Sequence, residues 1–464
     1  MTRFAVIILL FISLKVESQN FGALPYLNNS SDYIERMFFD SVHDKLIVSS
    51  KFMDYVNGKN VRGVWSWNDV IYDSLSSGLN THDTLNNTAN STAMCGISYN
   101  GKLLVGGSFQ SVGGINTSCL ATWDGTHWDS LPVRAFRPLD YSGSIYGLTK
   151  HNNKLYIYGV FDTIQGQPAN GIATYDGVSY QPVSVPLMPQ AFITNMLLYN
   201  GELYISGVFS YTAQIGNRHI LKFDGTNWGD VGGGIKGSIS SISSMVIYNN
   251  ELYVGGFFSK TNGNVADIVM KWDGSSWHDV GWGNEYQNGN IWKLLVHHNK
   301  LYAFGSFEKA ANTTASRVAV FDGTQWCTFS DTLSSGINTA AIYHDTIYIA
   351  GNFKKINSDT TKRCIAKIKQ PEIYSDCVSV VGINELSLDN YISVYPNPTT
   401  SILNINNENH QFKNATLEIK NYLGQVVLSV PFYNQINISN LSAGMYFLTV
   451  QDKERKRTVK FVKE

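Results

Sequence analysis

The chain has 464 residues, enough for two or three domains, and its 35 basic and 36 acidic residues leave a formal net charge of −1. That balance excludes a global field that would recruit nucleic acid or an anionic membrane. Aromatic residues make up 13% and charged residues 15%, with 40 glycines, a mix that favours short strands and tight turns over helices.

In chain order, Arg3 is followed by an apolar run of 11 residues (4–14), too short to span a bilayer. Val16 and Ser18 then precede a cut ahead of Gln19, so residues 1–18 read as a secretory signal peptide. No cysteine stands at the cut, so no lipid anchor is expected. No later segment reaches membrane-spanning length, and the expectation is an exported chain with no integral membrane segment after cleavage.

A strand-like phrase closing on phenylalanine recurs seven times, from DKLIVSSKF to DTIYIAGNF, ending at Phe52, Phe109, Phe161, Phe209, Phe258, Phe307 and Phe353. The spacings of 57, 52, 48, 49, 49 and 46 residues give a period of about 50, in the propeller range. Each repeat reads as four short runs rich in Val, Ile, Tyr and Trp, separated by Asn-Asn or Asp-Gly turns, the latter at Asp124, Asp176, Asp224, Asp273 and Asp322. A lone four-stranded blade cannot bury both faces, so neighbours must stack and close. The fold class expected is all-β: a seven-bladed β-propeller with four antiparallel strands per blade over residues 19–376, plus a small C-terminal β-sandwich. The seventh repeat lacks an outer strand, and residues 21–24 are expected to supply it. A glycine two positions before six of the seven phenylalanines reads as a steric requirement, and the phenylalanines with Trp128, Trp228, Trp277 and Trp326 read as inter-blade core. The pattern resembles kelch-like and related extracellular propellers, whose repeats carry LYxGGxF followed by WDGxxW. That resemblance implies a fold that hosts both enzymes and binding modules.

Five cysteines without CxxC spacing argue against a zinc site. Cys364 with Cys377 is the expected disulfide, while Cys95 and Cys119 sit on strands separated by a third. The histidines His43, His151, His298 and His344 fall in equivalent turns of different repeats and are expected to ring the domain without converging. His297 and His298 are adjacent, so alternate facing along a strand separates them. No metal or cofactor is expected. No P-loop, HExxH, GxSxG or dinucleotide fingerprint is present.

Side chains outside the repeat pattern gather in the long connectors. Arg137, Asp140 and Tyr141 stand in one, and Trp282, Glu285 and Tyr286 in another. Aromatic faces beside short polar groups suit a pyranose, so these six are the candidate ligand-binding residues. The reading is a secreted or cell-surface binding module for glycan or protein, without catalysis. The alternatives are an extracellular glycoside-active hydrolase, lyase or oxidase with a site at the propeller mouth, and a structural adhesion protein.

After Cys377 the period stops. Residues 377–390 read as a linker, and residues 391–464 as short alternating strands bounded by Asn-Pro, Leu-Gly and Ala-Gly. The segments around Pro396, Asn397 and Pro398, around Gly424, from Gly444 to Tyr446 and at Lys460 closely resemble the type A C-terminal sorting domain of the type IX secretion system of Bacteroidota. The resemblance implies handling by that outer-membrane machinery after passage through the periplasm.

Overall fold

The computed structural model describes residues 21–24, 28–29, 33–50, 53–56, 59–80, 91–131, 135–136, 143–187, 191–209, 219–237, 240–283, 289–311, 313–368, 376–377, 392–407, 415–421, 425–452 and 456–464. Two compact units divide the chain, residues 1–379 and 380–464.

Among the described residues of the first unit, seven sheets of like pattern follow one another. Sheet 1 comprises Ile34–Asp40, Lys45–Ser50, Trp65–Trp67 and Tyr72–Ser74. Sheet 2 begins at Thr92–Tyr99, sheet 3 at Ser144–His151, sheet 4 at Phe192–Tyr199, sheet 5 at Ser241–Tyr248, sheet 6 at Ile291–His297 and sheet 7 at Ile337–Tyr343. All strand pairs within them are antiparallel. The first strands of successive sheets pack side by side in chain order, and Ile34–Asp40 packs on Ile337–Tyr343, so the sheets close into a ring. Sheet 7 takes its outer strand from the other end of the chain: Phe21–Ala23 pairs with Ile365–Ile368, Phe21 opposite Ile368. Phe21 is fully buried, its ring 5.9 Å from that of Phe329.

Repeated sequence features do repeated jobs. Phe109, Phe161, Phe209, Phe258, Phe307 and Phe353 are all buried, while Phe52 lies outside the described residues. The outer-strand tryptophans donate their indole N–H to a carbonyl just past the preceding sheet's outer strand: Trp128 to Leu75 (3.1 Å), Trp228 to Ser184 (2.8 Å), Trp277 to Val231 (2.9 Å) and Trp326 to Val280 (3.0 Å). Each tryptophan thus contributes both apolar area and a directional bond between sheets. The glycine before six of the phenylalanines is steric: a Cβ on Gly207 would sit 1.8 Å from the Phe192 carbonyl oxygen, and one on Gly107 2.1 Å from that of Thr92. The crowding arises at a bulge that every first strand carries near its start, as between Ile193 and Asn195.

The two short turns differ from expectation in one respect. The Asp-Gly turns are four-residue loops, Trp123 pairing with Trp128 across Asp124, and only the glycine has positive φ. Asp124 accepts from the backbone N–H of Thr126 and His127 at 2.8 and 2.7 Å, so the aspartate is chosen for its side-chain bonds. The two-residue hairpins with left-handed residues at both centres instead join the first and second strands, as at Asn249-Asn250, His298-Asn299 and His344-Asp345.

A second correction concerns the cysteines. Cys364, expected to bridge to Cys377, keeps its thiol, as do Cys95 and Cys119. Cys327 is the disulfide-bonded residue. Its ladder partner is Cys377, because Asp376–Cys377 pairs with Trp326–Thr328 as a fifth strand of sheet 6. Cys364 instead occupies a left-handed position (φ 63°) ahead of a third strand, the position Cys119 holds in sheet 2.

The second unit holds a three-stranded sheet (Ile392–Tyr395, Ile402–Asn407, Gln435–Asn437) and a four-stranded one (Val426–Pro431, Thr416–Asn421, Gly444–Gln451, Lys456–Lys463). Leu403 and Ile405 from the first share a core with Leu417, Ile419, Leu448, Val450 and Phe461 from the second. No helix among the described residues is long and apolar enough to cross a membrane.

Candidate functional site

Of the six side chains expected to bind a ligand, Trp282 is placed elsewhere. It is fully buried, edge-on to Phe307 (4.9 Å) and Trp326 (4.6 Å), so it is inter-sheet core and offers no face to a sugar. Its burial follows from the sheet 5 to sheet 6 junction, where it fills the space beside the repeat's own Phe and Trp. Arg137, Asp140, Tyr141, Glu285 and Tyr286 lie outside the described residues.

The described chemistry concentrates on the other rim, at the hairpins between first and second strands. The last residue of the first strand pairs with the first of the second: Tyr199 with Glu202, Tyr248 with Glu251, His297 with Lys300 and Tyr343 with Thr346. In sheets 4, 5 and 7 that residue is a tyrosine whose hydroxyl fastens the next sheet. Tyr199 donates to the Asn250 carbonyl (3.2 Å), Tyr248 to that of Asn299 (3.2 Å) and Tyr343 to that of Asp44 (3.0 Å).

Sheets 1, 3 and 6 depart from this pattern, with Asp40, His151 and His297 at the position. His297 replaces the tyrosine, is buried to 6% exposure, and its Nε2 makes no hydrogen bond. His298 follows in the left-handed turn (φ 46°), so its ring stacks on His297 with centroids 3.9 Å apart and planes at 24°. The alternation expected of two adjacent strand residues fails because His298 is not extended. Asp345, from the sheet 7 hairpin, sits with Oδ1 2.9 Å from His298 Nε2 and 3.6 Å from His297 Nε2. Three donor atoms, one per residue, lie within 4.8 Å of one another. Burial, and next the neighbouring His298, hold the His297 imidazole below its ordinary pKa.

One seam further on, His344 is enclosed by carboxylates. Its Nδ1 donates to Asp69 (2.5 Å) and its Nε2 to Asp44 (2.8 Å), and Tyr348 donates to the second oxygen of Asp69 at 2.6 Å. Bonding to Asp69 and then Asp44 raises the His344 pKa. Burial pushes the Asp69 carboxyl up, but bonds from Tyr348 and His344 outweigh it and leave the pKa lowered.

Between sheets 2 and 3 the same rim opens a groove of about 510 Å³ lined by Tyr99, Lys150, His151, Asn152, Asn153 and Asp176. Lys150 Nζ lies 5.6 Å from the Tyr99 ring centroid, and Tyr175 stacks on Tyr180 at 4.5 Å behind it. Asp176 is held ionised by backbone N–H bonds, first from Ser179 and then from Val178. The groove thus pairs an aromatic face with a cation, an anion and two amides. On the ring's axis side, burial lowers the Lys293 pKa, and Arg36 of sheet 1 adds to it.

In the second unit, the sorting-signal residues build one end of the domain. Asn397 donates to the Lys460 carbonyl (3.2 Å) and accepts from the Val462 N–H (2.9 Å), between Pro396 and Pro398. The Tyr446 hydroxyl donates to the Ser442 carbonyl (2.9 Å), two residues before Gly444. Gly424 lies outside the described residues.

Residues 393–464 match the secretion system C-terminal sorting domain, and residues 100–121 match a β-propeller domain of unknown function, DUF5122. No curated protein matches the chain. Among solved structures, the extracellular domain of BT4673 from B. thetaiotaomicron aligns at 11% identity and TM-score 0.46, over 96% of this chain and 60% of that one. The chain therefore spans about 60% of the length of that extracellular domain. The β-propeller domain of the Trilobed protease from Pyrococcus furiosus aligns at 8% identity and TM-score 0.39, over 76% of this chain and 99% of that one. The protein carries a β-propeller and a type IX sorting tail, and it is secreted or on the cell surface.

Proposed function

We propose that the protein is a seven-bladed β-propeller binding module, followed by a small β-sandwich that directs export after a signal peptide takes the chain to the periplasm. Its ligand is a glycan or a glycan-bearing protein, held without catalysis in the groove between sheets 2 and 3. The observation that carries this reading is the groove's lining: the Tyr99 ring offers an apolar face, while Lys150, His151, Asn152, Asn153 and Asp176 offer donors and acceptors for hydroxyls. Its volume of about 510 Å³ falls within the range typical of small-ligand sites. Arg137, Asp140, Tyr141, Glu285 and Tyr286, from the long connectors of the sequence, are a second candidate set for the same role.

Binding of the secreted protein to a broad glycan array tests the proposal, with a Lys150→Ala, His151→Ala variant alongside. Selective binding lost in the variant supports the groove. Binding that survives in the variant transfers the site to the long connectors, and silence from both proteins overturns the glycan reading.

A further inference from the structure

Repeat architectures make departures from their own pattern informative. In sheets 4, 5 and 7 the residue closing the first strand is a tyrosine that fastens the next sheet, and in sheet 6 it is His297. The hairpin residue that faces it also differs: Asn250 and Asn299 stand at the second turn position in sheets 5 and 6, whereas sheet 7 has Asp345, as sheet 1 has Asp44. Together the two changes set an imidazole beside a carboxylate, with the Asp345 backbone still facing the His297 ring, and His298 adds a second imidazole on the same side.

We infer that His297, His298 and Asp345 form a binding site for a divalent transition cation of the zinc class, bridging sheets 6 and 7. The decisive group is His297 Nε2, nearly fully buried, without a hydrogen bond, and directed at Asp345. An imine-type nitrogen withdrawn from water and left without a donor carries a cost that a Lewis acid removes. The spacing suits the ion. With metal–ligand bonds of about 2.0–2.2 Å, tetrahedral donors stand roughly 3.3–3.5 Å apart, and the Asp345 carboxylate oxygen lies 2.9 and 3.6 Å from the two imidazole nitrogens. His298 and Asp345 are exposed, so they adjust to close the remaining edge and give the ion a path from solvent. Two imidazoles select a borderline cation over calcium or magnesium, which take oxygen donors. Three protein ligands leave at least one position for water or for a donor from a bound partner.

The seam between sheets 7 and 1 is an internal control. There His344 has a carboxylate against each ring nitrogen, so no lone pair remains for a metal.

Zinc titration by calorimetry of the untagged, secreted, full-length protein tests the site. The wild type is expected to bind one zinc ion there. His297→Tyr installs the residue that sheets 5 and 7 use, and Asp345→Asn the turn residue that sheets 5 and 6 use, so each keeps the fold by a different route. Each is expected to weaken zinc binding by about 100-fold or more, since even the loss of an outer-shell partner costs 10–100-fold, while His344→Phe leaves it unchanged. Failure of the wild type to bind, or equal binding by the folded His297→Tyr or Asp345→Asn variant, overturns the inference.

Discussion

At the seam between sheets 7 and 1, His344 donates to Asp69 and Asp44, and both ring nitrogens are saturated. At the seam between sheets 6 and 7, in the equivalent hairpin, His297 and His298 meet a single carboxylate, and the buried Nε2 of His297 bonds to nothing. Residue types and backbone are alike, yet the number of partners differs. A histidine whose hydrogen-bonding capacity is filled by its own fold is fastening; one left open within a cluster of donors is available to something else.

The two seams are also held differently at the outer edge. Sheet 7 depends on a strand borrowed from the N-terminal end, whereas sheet 6 gains an extra strand and a disulfide-bonded Cys327. The largest effect is therefore expected from Phe21→Ala, which empties a buried site in the borrowed strand. It should lower stability by about 3–5 kcal/mol, read as the midpoint of urea unfolding followed by tryptophan fluorescence. A loss under 1 kcal/mol would mean that the ring closes without that strand. On the other side, Cys327→Ser opens a loop running to residue 377. A cost of about 3 kcal/mol is expected, and the same shift should appear when the wild type is reduced with dithiothreitol.

His297→Tyr sharpens the comparison further, because it turns the open seam into one of the fastened kind. Stability measured without metal should hold or rise by up to about 1 kcal/mol, the net worth of one hydrogen bond. A clear loss would show that His297 is itself structural. The smallest effect concerns His219, buried against the Gly207 and Gly237 carbonyls. Burial lowers its pKa and the two carbonyls only partly compensate. The folded state thus binds the proton less well than the unfolded chain. Its contribution is full above the unfolded value of about 6.5 and shrinks as pH falls below it. Unfolding midpoints at pH 7.5 and 5.5 should differ in that direction, and less so in His219→Gln.

Much of the architecture is legible in the sequence because the repeat imposes one steric problem many times. Gly107 and Gly207 answer the same backbone crowding, and Trp128, Trp277 and Trp326 bond to the same kind of carbonyl, so each repeat corroborates the next. Even Phe21 is readable, since its phrase resembles an outer strand and the seventh repeat lacks one. What the period cannot supply is contact between positions outside it. Cys327 stands opposite Cys377 in the backbone ladder because a short strand returns past the end of the repeats, which no spacing rule predicts. Trp282 carries the composition of a sugar-binding residue but falls where Phe307 and Trp326 leave a space. The His297 cluster escapes the alternation rule because His298 lies in a left-handed turn. A partial signal was present: aligning the hairpins sets His297 against Tyr199, Tyr248 and Tyr343, and Asp345 against Asn250 and Asn299, although His151 and Asp44 share those positions in sheets 3 and 1.

Anomalous diffraction above and below the zinc edge, from crystals of the full-length protein grown with zinc, tests the distinction between the two seams most directly. One peak is expected within about 2.2 Å of donor atoms of His297, His298 and Asp345, with none at His344. A peak at His344 with Asp44 and Asp69, or density at neither seam, would contradict it.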